Sequence, residues 1–355
     1  MARFPRAPFI ITRQEKSERL LMSFVPSSAL PSPTTDGNNR QVSRRPEPTS
    51  PGMDEVGRST TPEPTPPGPT IDAHDLDKRR VRRLADRAAR HYDSAAWLPL
   101  QVARVLMEHL QPVRFQPALI LDVGAGTGIC SRLLTRHYPR ARVISMDFSM
   151  AMLRAARGRR PRWLSKRSVA AGDGEALPVA DNSIDLLVSS LMLPSCPTPD
   201  AALLEFRRVL KPGGLLMFSS LGPDTLRELR AAWSVVDGHV HVHAFIDMHD
   251  LGDALLRAGF SDVVMDTERV TGRYPDVAAL MTELKRLGVS NAAHGRHKSL
   301  TTPAQLAAMV LEYEGFRAQP DLPASFEVVF GHAWRLPSRS IDVSPAAMPQ
   351  ASPRP

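Results

Sequence analysis

Between residues 118 and 221 short apolar runs alternate with stretches of helical period. That alternation restricts the chain to an α/β fold, a mostly parallel, doubly wound sheet with helices on both faces. "ALILDV" (118–123) reads as the first strand and "GICSRLLTRHY" as the helix that returns from it. "RVISMD" (142–147), "RSVAAGD" (167–173), "IDLLVSSLML" (184–193) and "LLMFSSL" (215–221) supply the next four strands. The helices "SMAMLRAAR" and "PDAALLEFRRVL" lie between them, and "KPGG" is expected to stop the latter before the fifth strand. After a further helix, "PDTLRELRAAWSVV", the rhythm breaks. A helix closed by Gly259, "DMHDLGDALLRAGF", leads into a sixth strand, "DVVMDTERVTG". Two helices, in "PDVAALMTELKRLG" and "TPAQLAAMVLEYEGF", then precede a last strand, "SFEVVFGHAW" (325–334). This helical insertion is expected to cap one end of the sheet.

Composition sets the boundaries. The 33 prolines crowd the first 70 residues, where "TTPEPTPPGPT" has too little apolar surface to offset ordering entropy. Residues 1–70 are therefore expected to be a disordered arm, 72–335 one folded domain, and 336–355 a flexible tail. Met53, shortly before the fold, is an alternative start. The formal charge of +8 is concentrated in "DKRRVRRLADRAAR" (77–90) and "RAARGRRPRWLSKR" (154–167), which suits an acidic partner. Two cysteines are too few for a disulfide framework. No apolar run is long enough to span a membrane, and the N-terminus lacks a secretory pattern, so a bacterial cytoplasm is the expected compartment.

"LDVGAGTGIC" places Gly124, Gly126 and Gly128 between the first strand and its helix. A nucleotide triphosphate loop would need a Gly-Lys-Ser/Thr ending, and none follows. A dinucleotide loop would place its third glycine at 129, which is Ile. Asp122, directly before the loop, disfavours phosphate and favours the ammonium and sulfonium of S-adenosylmethionine. Asp147 ends the second strand, where its carboxylate can accept from both ribose hydroxyls. Phe148 and Met152 are placed to flank an adenine, and Asp173 to meet its amino group; Gly174 and Ser189 complete the expected cofactor set. S-adenosylmethionine is the cofactor these features select together.

The glycine loop, "DFSMAML", "AGDGEALP" and "EFRRVLKPGG" resemble the class I methyltransferases. That resemblance implies a seven-stranded sheet whose last strand runs antiparallel between the fifth and sixth. "DRAARHYDSAA", "HAFIDMHDLGDALLRAGF", "YPDVAALMTELKRLGVSNA" and "FEVVFGHAW" are similar to the malonyl-acyl-carrier-protein O-methyltransferases of biotin synthesis. The similarity runs from about residue 76 to residue 335. It implies carboxyl methylation of malonyl-acyl-carrier protein (or malonyl-CoA), by a monomer with no nucleic-acid or membrane partner. It also implies that Tyr92 belongs to an N-terminal segment folded over the cofactor.

The chain departs from that pattern near the acceptor site. "SSLMLPSC" stands where such enzymes read Ser-Asn-Leu-Ala-Leu-Gln-Trp-Cys, so the asparagine is Ser190 and the Gln-Trp pair is Pro194-Ser195. Ala244 replaces an arginine. A paralogue with another acceptor, such as a different small carboxylic acid, and a cofactor-binding assembly factor are the alternatives. A carboxylate acceptor is already ionised at neutral pH and needs no base, so no residue is assigned as catalytic. Arg227 and Arg230, on the helix after the fifth strand, are the candidate acceptor ligands. His239, His241 and His243 would share one face if "HVHVH" were a strand, but methyl transfer needs no metal and none is assigned. Nucleic-acid methylation is disfavoured: no Asp/Asn-Pro-Pro motif follows the fourth strand, and Cys196 lacks the usual preceding proline.

Overall fold

The computed structural model describes residues 76–158, 166–296 and 299–336, with the backbone of two short strands, Thr12–Gln14 and Leu20–Leu21. The arm expected over 1–70 and the tail expected after 335 otherwise lie outside the described residues. Seven long strands form the sheet: β1 Leu119–Val123, β2 Arg142–Asp147, β3 Arg167–Ala171, β4 Ile184–Ser190, β5 Leu210–Leu221, β6 Ser261–Tyr274 and β7 Leu322–Arg335. Their order is β3-β2-β1-β4-β5-β7-β6, parallel as far as β5, with β7 antiparallel to both neighbours. This is the class I methyltransferase fold. The two short strands pair antiparallel with the outer edge of β6.

Both faces of the sheet are covered, which is why "LILDV" carries almost no polar surface. Ile120 belongs to the core shared with helices α3 (Trp97–Leu110) and α4 (Ile129–His137). Leu121 and Val123 pack on the other side with α6 (Pro199–Val209) and α8 (Met248–Arg257). The chain runs from β1 one way to β2 and, through β4, the other way to β5. The carboxyl ends of β1 and β4 are thus a topological switch point, where ligands of open α/β sheets bind.

Two expectations about elements need correction, and one open question is answered. The fourth strand stops at Ser190, because Leu191 turns to φ +56° and Leu193–Ser195 coil into a 3₁₀ turn. "KPGG" lies inside β5: the helix does end at Val209, but residues 211–214 form a bulge between the pairs Ile184–Leu210 and Leu186–Leu215. Gly213 makes it feasible at φ +79°, and Asp185 braces it by accepting from Lys211 at 2.7 Å and from the Leu119 N–H at 2.8 Å. The histidine run is irregular backbone, so its rings share no strand face. Instead His241 bonds Asp237 at 2.8 Å and stacks on Trp233.

The segment before β1 is built of three helices: α1 Lys78–Ala88, α2 Tyr92–Ala95 and α3. Asp77 caps α1, accepting from the Arg80 N–H at 2.9 Å. The inserted helices α9 (Val277–Leu287) and α10 (Pro303–Glu314) stand on the same side of the sheet as α3.

Candidate active site

The glycine loop is held by the acid at the end of the neighbouring strand. Asp147 is buried at the tip of β2, and its carboxylate accepts from the Gly126 N–H and the Ser149 N–H, both at 2.8 Å. Gly124, Gly126 and Gly128 all have positive φ, and nothing lies within 4 Å of where a Gly126 side chain would begin. The loop therefore turns an open backbone cradle toward the switch point.

Asp122 is the fourth residue of β1, just before the loop. It is wholly buried under the loop, where it accepts from Ser131 on α4, whose hydroxyl also bonds Ser145 at 2.6 Å. Burial, helped by the Asp147 charge and opposed by Ser131, pushes the Asp122 carboxyl up to about 6. Its Oδ1 and the Oγ of buried Ser189 find no hydrogen-bond partner among the described residues. Burial likewise raises Asp147.

Helices α1 and α2 cross the loops that follow β1, β2 and β3. Thr127 of the glycine loop donates to Asp93 at 2.5 Å, and Ser149 donates to Asp86 at 2.6 Å. Lys78 pairs with Asp173 at 2.5 Å and with Glu175. Met152 is covered by Ala88 and Ala89, with Tyr92 packed alongside, whereas Phe148 stays half-buried. Asp86, Asp93, Asp122 and Asp147 thus gather four carboxylates around the glycine loop, a setting that favours a cation. Sequence reasoning missed Asp86, and stopped at Tyr92 although Asp93 is the residue that touches the loop.

Met192 was also missed. Its side chain lies between Gly124 and Gly174, its Cε 2.8 Å from where a Gly174 side chain would begin and its Sδ 3.0 Å from the Cys196 Sγ. The signal was visible, since methionine stands there in place of the pattern's alanine.

Beside this site runs a cavity of about 390 Å³, walled mainly by apolar side chains of α1, α3, α7 (Arg227–Ser234) and α9. Tyr92, Pro194 and Ser195 line it, as do Arg80, Arg296 and His241. Ala244 shares a narrow adjoining cleft with Pro194 and His243. Ser190, half-buried, closes β4. The expected acceptor arginines are not brought together here. Arg227 is exposed, 3.4 Å from Glu228, and lines a separate hollow with Phe316. Arg230 donates to the Pro223 and Thr225 carbonyls at 2.9 and 3.2 Å and borders a second pocket with Ala244. Helical period told where α7 lies but not which face it turns inward.

A methyltransferase domain model matches residues 121–218, from β1 into β5. The chain is 47% identical over 275 residues to the malonyl-[acyl-carrier protein] O-methyltransferase of Methylovorus sp. (strain MP688), covering 76% of this chain and 93% of that protein. It is 46% identical over 281 residues to the protein of that name from Laribacter hongkongensis, covering 76% and 95%. A third, from Gallionella capsiferriformans, is 43% identical over 265 residues, covering 73% and 91%.

Proposed function

The chain belongs to the malonyl-[acyl-carrier protein] O-methyltransferase family, and on that premise we propose that it methylates the free carboxylate of malonyl-acyl-carrier protein (or malonyl-CoA), for biotin synthesis. The observation that carries this reading is an apolar cavity beside the acid-rich glycine loop, with Tyr92 lining the cavity and packing by Met152 at the start of the helix after β2, next to Asp147. The cofactor is S-adenosylmethionine, which supplies a methyl carbon made electrophilic by its sulfonium. The residues fit it: four carboxylates attract its positive charge, and Asp122 Oδ1 and Ser189 Oγ are buried acceptors still without partners.

The protein's part is alignment and water exclusion. The acceptor carboxylate is ionised at neutral pH and needs no general base. Tyr92 is half-buried as a residue, and desolvation around its hydroxyl raises that group, so it stays a neutral donor. The bonds from Asp86, Asp93 and Lys78 hold α1 and α2 down over the cofactor site. On its exposed side α1 carries Arg79, Arg82, Arg83 and Arg87, and α5 (Met150–Gly158), packed beside it, adds Arg154 and Arg157. Helix α1 also lines the cavity through Arg80, Val81 and Leu84, and its basic outer face suits an acidic carrier.

Transfer of tritium from methyl-labelled cofactor to malonyl-acyl-carrier protein tests the reading. Measurable but reduced methylation is expected. Pro194→Gln with Ser195→Trp and Ala244→Arg should raise the rate about tenfold, the scale of one regained hydrogen bond to a charged group. Pro194 borders both the large cavity, with Ser195, and the adjoining cleft, with Ala244, so the three substitutions change neighbouring walls. Cofactor binding without transfer, even after restoration, would assign the chain a different acceptor.

Cofactor affinity is also expected to depend on acid pH. A bound cation stabilises the ionised form of Asp122, so binding releases a proton wherever that carboxyl is still protonated. Affinity should rise about tenfold per unit of pKa depression as pH passes upward through about 6. Asp147, raised too, acts in the same direction. Calorimetry at pH 5 and pH 7.5 measures this, and Asp122→Asn should flatten the slope. An unchanged slope would remove Asp122 from the binding equilibrium.

A further inference from the structure

Methyl transfer as derived above gives no task to Arg80 and Arg296, which line the acceptor cavity from two different elements. Backbone pairing brings them together. Leu76 and Ala293 form an antiparallel bridge, and the Asp77 N–H donates to the Ala292 carbonyl at 2.9 Å. Each guanidinium is braced. Arg80 Nε donates to the Asn291 carbonyl at 2.9 Å, and Arg296 donates to the Ala293 carbonyl at 2.9 Å. A further nitrogen of Arg296 lies 3.8 Å from the Asp77 carboxylate, and its side chain is only 17% exposed.

Negative charge is scarce at this end of the cavity. Asp77 already serves the α1 backbone as cap and must also offset both arginines. Burial lowers Arg80 first, and repulsion from Arg296 and Arg83 lowers it further. An anion placed between the two would relieve that repulsion and meet two preset forks of N–H donors.

Position decides which anion. From Arg80 to Ala88, which packs on Met152 at the cofactor end, α1 rises about 12 Å at 1.5 Å per residue. The methyl-accepting carboxylate must come within about 3–3.5 Å of the reacting carbon, so it belongs at the Tyr92 end. The acyl group of a carrier protein or of coenzyme A hangs on a pantetheine arm with a phosphate at the end opposite the thioester. Resting on the acceptor class proposed above, we propose that Arg80 and Arg296 bind the phosphate of that arm while the apolar wall accommodates its chain.

Calorimetric titration of the full chain with 4′-phosphopantetheine and with pantetheine, which differ by one phosphate, tests this without turnover. The phosphorylated arm should bind at least tenfold more tightly. Arg80→Gln and Arg296→Gln should each cut that preference about tenfold, with Arg80→Lys retaining part of it. In turnover, KM for malonyl-phosphopantetheine should rise in the Gln variants, while KM for malonyl-pantetheine and both kcat values stay put. Equal affinity for the two arms in the native protein, or a preference that survives both Gln substitutions, would overturn the proposal. So would equal losses for both arms in variants that keep the native melting temperature. Should a Gln variant melt early, the Lys variants decide: the preference must fall while the fold is kept. If the phosphate preference stands and neither thioester is methylated, the acceptor assignment fails and the phosphate site does not.

Discussion

Asp147→Ala is expected to weaken S-adenosylmethionine binding by about 1.5–3 kcal/mol, the scale of hydrogen bonds to a charged group. Two roles make the effect large. As the acid at the end of β2, Asp147 is placed to accept from the ribose hydroxyls. Its carboxylate also holds the Gly126 and Ser149 N–H groups at 2.8 Å, so its loss unties the glycine loop and the start of α5 together. Asp147→Asn separates the roles. The amide oxygen can still accept from one backbone N–H, but the charge is gone and one oxygen has become a donor. The asparagine variant should therefore melt closer to the native protein than the alanine variant while binding the cofactor nearly as poorly. Calorimetry and thermal melting read the two effects. Unchanged cofactor affinity in the alanine variant would show that the ribose is held elsewhere.

What the sequence made legible follows from where the information sits. β2 falls at the expected residues because both its ends and its apolar run are local. The glycine loop and Asp147 were readable for the same reason. α3 was readable too and was passed over: Leu98, Val102, Leu106 and Leu110 recur every fourth residue and are all buried. In the stretch 77–90 the dense arginines mask the helical period of α1. By contrast, no local pattern joins Arg80 to Arg296, because the pairing of Leu76 with Ala293 that unites them is long-range. Nor does sequence order reveal that Asp122 is wholly buried and bonded to Ser131 of α4.

Gly124→Ala should be the most damaging small substitution in the site, and Gly174→Ala a mild one, although both glycines face Met192. Gly124 lies at φ +72°, where an L-residue pays about 1–2 kcal/mol. Its new methyl group would also overlap the Met192 Cβ and Cγ, which rotation about the side chain's outer bonds cannot move away. Overpacking of this kind typically adds about 1–3 kcal/mol. The combined loss, about 2–5 kcal/mol, should appear as a lower melting temperature and as failure to bind the cofactor. At Gly174 the nearest atom is the Met192 Cε, 2.8 Å from the added carbon, with Sδ behind it at 3.3 Å. That end of the thioether is flexible and can swing aside, so the cost should stay under about 1 kcal/mol. The two cases also respond differently to a second change. Met192→Ala removes Cε and Sδ and should make Gly174→Ala neutral, but it keeps the Cβ and should leave Gly124→Ala impaired. Met192→Gly should recover the steric part at Gly124 and leave the backbone strain. If Met192→Ala rescued both glycine variants equally, the contact at Gly124 would lie at the thioether's tip and not at its root.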